Sequence, residues 1–176
     1  YHQYKFNTHE NSLPLHLKLL SDTYRGDVYK AIEIESKGLK YDVELARILY
    51  HNMKDYVNDK LDKVEVRLIN GVVVLLTYAE NHHNELAHRL INSYVDAGYN
   101  YVVVLIGKHT RGDDMFHIRV SNEVGMQLNA EELALAINNG KGNEHAATVF
   151  LTKPRELIIG IVADKLTEYF NHKNSV

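Results

Sequence analysis

Apolar residues recur every three or four positions through the first third of the chain and every second position from Val64 onward. That switch predicts a helical segment followed by an α/β domain. Ser12-Leu13-Pro14 supplies a cap and a first-turn proline, and Leu13, Leu17 and Leu20 then share a face. Residues 27–36 form a second helical stretch, stopped by Gly38. The third, 42–60, places Val43, Ala46, Leu49, Met53, Tyr56 and Val57 at helical spacing opposite polar residues.

Beyond Val64 the period is that of strands. Residues 64–68 alternate, Asn70-Gly71 follows, and 72–78 is a continuous apolar run. Asn-Gly between two such runs predicts a hairpin. A helix over 81–97, ended by Gly98, leads to the β-branched run 101–106, whose composition predicts burial on both faces. The charged turn 108–114 returns into an alternating strand, 116–121, and Asn129 can cap a helix rich in Leu133, Leu135, Ala136 and Ile137. A strand over 146–151 and, past Pro154, a helix over 156–170 complete the order β-β-α-β-β-α-β-α. The expected class is α/β: a helical connector, residues 1–62, and then a mixed sheet of about five strands with flanking helices, residues 63–176.

The glycine-punctuated loop 138–148 falls between the last two of these helices. Gly140 and Gly142 suit a backbone with φ > 0 or one that a ligand approaches closely; a helix C-cap followed by a turn is the simpler account. Arg119 and Ser121 alternate on one face of the strand leading towards that loop. A guanidinium fork and a hydroxyl beside a glycine loop suit a phosphate. Pairing of Arg119 with Glu123 or Asp114 is the structural alternative.

Composition narrows the choice. The net charge of −3 excludes a generally basic nucleic-acid coat, so any such contact is local. With no cysteine there is no disulfide, thiolate metal site or cysteine nucleophile. The apolar runs 72–76 and 101–106 are short of a membrane span and no signal sequence opens the chain, so a cytoplasmic protein without membrane contact is expected. Tyr1 in place of an initiator methionine suggests the C-terminal piece of something longer. Among eleven histidines, His82, His83 and His88 cluster with Glu85, but His83 and His88 are five apart, the wrong spacing for a helical metal pair. No catalytic motif is visible, and an autonomous enzyme built on this cluster would need a bound metal.

A strand carrying arginine and serine, a helix, a Gly-rich loop running into Ala146-Ala147 and a last strand resembles the C-terminal domain associated with the DHH phosphoesterase superfamily. Its loop, Gly-Gly-Gly-Gly-His-x-x-Ala-Ala-Gly, lies without gaps over 139–148; the histidine falls on Asn143, the third glycine on Lys141 and the last on Thr148, with His145 two residues downstream of the histidine's place. The resemblance implies a substrate-binding domain, with connector helices, of a phosphodiesterase of the exonuclease, oligoribonuclease or cyclic-dinucleotide class. It implies that Arg119, Ser121, Gly140, Lys141, Gly142, Asn143 and His145 grip an oligonucleotide, single-stranded nucleic acid or cyclic dinucleotide through its phosphates. Asn143 can donate to phosphate but cannot carry a proton at neutral pH. The superfamily's Asp-His-His motif and its two manganese ions belong to an upstream domain of the same polypeptide; no Asp-His-His occurs here, so this chain alone is expected to be inactive. The rival reading is a non-catalytic interaction module that dimerises through 42–60.

Overall fold

The computed structural model describes residues 40–121 and 128–175. The expected helices before residue 40, and Glu123, lie outside the described residues. The chain divides into two compact units, Tyr1–Asp59 and Lys60–Val176. Helix α1, Lys40–Leu61, covers the amphipathic stretch and buries Met53 and Val57, one turn apart.

In the second unit the hairpin forms where Asn-Gly places it. Strand β1, Glu65–Ile69, pairs antiparallel with β2, Val72–Tyr78. Asn70 and Gly71 both take positive φ, 50° and 81°, as a tight two-residue hairpin turn demands. Helix α2, His83–Asp96, carries the chain to β3, Val102–Lys108, which lies parallel to β2. Gly98, at φ 99°, turns the chain out of α2. Strand β4, Asp114–Val120, returns antiparallel to β3. Helix α3, Ala130–Asn138, is capped by the Asn129 side chain, which accepts from the Glu132 N–H at 3.1 Å. Strand β5, Lys141–Gly142, and β6, Ala146–Leu151, form a hairpin, and α4, Arg155–Asn174, follows.

The sheet is mixed and has six strands in the order β1-β2-β3-β4-β6-β5. The sixth strand, β5, lies inside the glycine loop and has only two residues, too few to show a period in the sequence.

Strand alternation divides the core between the two sheet faces. Phe116, Ile118 and Val120 of β4 pack with Leu133 and Ile137 of α3 and with Ile158, Val162 and Phe170 of α4. The other face of β3, Val102, Val104 and Ile106, is fully buried beside α2, which buries Leu86, Ala87, Leu90 and Ile91. Helices therefore lie on both sides of the central strands, and β3 reads as the unbroken apolar run such burial requires. No helix among the described residues is long and apolar enough to cross a membrane.

Candidate functional site

The outer strands bring Arg119 to the glycine loop. Arg119 on β4 stands directly opposite Ala146, the first residue of β6, and the Val120 N–H reaches the His145 carbonyl at 3.4 Å. One step along, His117, Thr148 and Lys141 form a row across β4, β6 and β5 on the same face. This is the face opposite the α3–α4 core, since β4 and β6 bury their intervening residues there.

Arg119 is held by hydrogen bonds within the chain. Its Nε and one terminal nitrogen donate to the Asn84 Oδ1, at 3.2 and 2.7 Å, and the other terminal nitrogen donates to the Ile118 carbonyl at 2.8 Å. Asn84 belongs to the first turn of α2, which His82, in a left-handed conformation at φ 55°, introduces. An arginine so oriented loses less side-chain entropy on binding than one free in solvent. Asp114, the carboxylate that the strand pattern offered to Arg119, pairs instead with His109 at 2.9 Å.

Ser121 shares the strand side of Arg119 but not its surface. It is 2% exposed; its Oγ accepts from the Val102 N–H at 2.7 Å and donates to the Asn100 carbonyl at 3.1 Å. The hydroxyl closes the end of the β3–β4 ladder, where an unbonded buried N–H would be costly.

The loop is built by its own backbone. Asn139 takes the left-handed cap position, φ 51°, and the Gly140 N–H closes α3 on the Ala134 carbonyl at 2.9 Å. Gly140 and Gly142 do not have positive φ. They are required because protein packs where a Cβ would stand: Ala134 and the Thr148 carbonyl against Gly140, and the Ala146–Ala147 backbone against Gly142. Asn143 folds the tip, its Oδ1 accepting from the His145 and Ala146 N–H groups at 2.9 and 3.0 Å. Since those donors require an oxygen, the amide nitrogen of Asn143 is the end left to offer a ligand. The carbonyls of Asn143 and Glu144 accept from the first N–H groups of α3, so loop and helix start are one unit. His145 lies on the exposed tip beside Glu144, 3.1 Å away.

Sequence reasoning noted His83 in a histidine cluster whose spacing does not suit a helical metal pair, and did not single out Asn84 or His117. The structure pairs His83 with His117 instead, their rings 4.2 Å apart. Burial lowers the His117 imidazole to about 4, with His83, Arg119 and Lys108 adding repulsion. His83 is lowered too, first by burial, against the hydrogen bond of its Nε2 to the Ala79 carbonyl at 2.9 Å. Both rings are therefore neutral at pH 7, and the buried Nε2 of His117 has no hydrogen-bond partner among the described residues. The alternation His117-x-Arg119 is the signal in the sequence that could have found His117. Among the described residues no group of three or more His, Cys, Asp or Glu could hold a metal ion, so they do not fit a pair of manganese ions.

No family model and no curated protein matches this chain. Solved structures do. A DHH-domain protein, described as a member of a family of ribosomal proteins, superposes with a TM-score of 0.54 at 10% identity, covering 72% of this chain and 33% of that one. The fold is shared with part of that DHH-domain protein. An exopolyphosphatase-related protein from Bacteroides fragilis gives a TM-score of 0.49 at 17% identity, covering 81% of this chain and 43% of that one. A pGpG-specific phosphodiesterase from Vibrio cholerae gives 0.47 at 17% identity, covering 74% and 45%. The chain thus spans less than half the length of each of these three structures. Its likeness to a DHH-associated domain, suggested by the loop, holds at the level of fold.

Proposed function

We propose that this chain is the substrate-binding domain of a DHH-type phosphodiesterase and that it holds a phosphodiester across the face formed by β4, β6 and β5. The observation that carries the reading is the juxtaposition of Arg119, fixed by Asn84, with the glycine hairpin and Lys141. Arg119 supplies the fork, Lys141 a second cation, and Asn143 and His145 donors at the loop tip. Gly140 and Gly142 keep the hairpin flat against β6, and Ser121 fixes the end of the strand that carries Arg119. The DHH-type fold supports the reading. The ligand is an oligonucleotide, single-stranded nucleic acid or cyclic dinucleotide, and its hydrolysis belongs to a metal-bearing domain upstream.

Titration of the chain with a short single-stranded oligonucleotide and with a dinucleotide tests this. Wild type binds, and Arg119→Ala weakens binding at least tenfold, the size of a lost charged hydrogen bond. Arg119→Lys recovers only part of it, because an ammonium lacks the planar fork. No binding by wild type, or unchanged binding by Arg119→Ala, overturns the proposal.

A further inference from the structure

The same face has an apolar end that phosphate binding does not use. Phe150 of β6 is 49% exposed, and it stands directly opposite Met115 of β4. Both belong to the side that carries His117 and Arg119, since alternate residues of each strand enter the core. Helix α2 lies chiefly on β3 and only lightly on β4. The Phe150 backbone is fixed: its carbonyl accepts from the Asn138 side chain at 2.6 Å.

Cations lie to either side of this apolar step. Lys108 stands opposite Met115 on the β3 side, Arg119 lies further along β4, and Lys141 faces Thr148, two residues from Phe150. None of the residues paired in these rows on this face is a carboxylate. From strand spacing, Phe150 and Lys141 are roughly 8 Å apart at the backbone, within the reach of a nucleotide from base to phosphate.

We propose that Phe150, with Met115 beside it, is a base-stacking subsite, so that this face selects a phosphodiester bearing nucleobases over a bare polyphosphate. The proposal rests on the phosphate-binding reading above and adds a specificity residue to it. An aromatic ring flanked by cations is the arrangement by which single-stranded nucleic acid is held: bases stack on the ring and the backbone follows the charge. An inorganic polyphosphate has nothing to place on Phe150 and would engage Arg119 and Lys141 alone.

The whole chain is titrated with a dinucleotide and with an abasic analogue of the same sugar-phosphate backbone. Wild type prefers the dinucleotide; Phe150→Ala lowers its affinity about tenfold, the size of one base stack, and leaves the abasic analogue unchanged. Phe150→Trp restores the preference and, as the chain has no other tryptophan, gives a fluorescence reporter that the dinucleotide quenches and the abasic analogue does not. If Phe150→Ala weakens both ligands equally, or neither, the ring only packs on Met115 and the stacking subsite is refuted while phosphate binding stands. If wild type binds neither ligand, the phosphate-binding reading falls as well.

Discussion

At the scale of single residues, the imidazoles beside Arg119 contribute to how the fold responds to acid. His117 is lowered from 6.5 to about 4 by burial and by the cations near it. As pH falls below 6.5 the unfolded chain takes up a proton at this position that the folded chain refuses, so the stability tied to the neutral His117 is fully present above 6.5 and is lost progressively towards pH 4. His83, lowered in the same direction, adds to the slope. Thermal midpoints measured from about pH 7.5 to about pH 4.5 will fall, and less steeply in His117→Gln; parallel curves for the two proteins would contradict this account. Ser121 shows what burial adds at the same scale. Its alternation with Arg119 was visible, but burial at 2% was not, because it depends on β3 arriving alongside.

At the scale of elements, the glycine hairpin is a structural unit whether or not it binds a ligand. A methyl group on Gly142 would run into the Ala146–Ala147 backbone. Gly142→Ala will therefore cost about 1–3 kcal/mol in chemical denaturation. If Gly142 served only to admit a ligand, the variant would lose binding and keep its stability. The longer elements could be read from their period. The Asn70-Gly71 turn, the β3 apolar run and the Asn129 cap are local signals, and each stands where the pattern puts it. What was illegible is what local pattern cannot carry. Strand β5 exists because α3 and β6 hold it, and Asn84 meets Arg119 from 35 residues away through the packing of α2 on the sheet. The glycines were legible as special but not for their reason, since close packing, not positive φ, requires them.

At the scale of the whole molecule, the sheet has two unlike edges. Strand β1 is exposed along most of its length and carries Glu65 and Arg67 beside Val66 and Leu68; charges on an edge discourage pairing with other chains. Strand β5 at the opposite edge carries Lys141 and the glycine hairpin. In a chain of net charge −3, Lys108, Arg119 and Lys141 stand in separate rows of one sheet face, and under the proposed reading that local positive charge steers an anion there. Amide-resolved NMR during titration of the whole chain with a short oligonucleotide is the most direct test of that placement. Binding across this face predicts that the signals of Arg119, Lys141, Gly142 and Asn143 shift together and saturate at one ligand concentration, while those of β1 stay still. Shifts centred on β1, or none at saturating oligonucleotide, would contradict it.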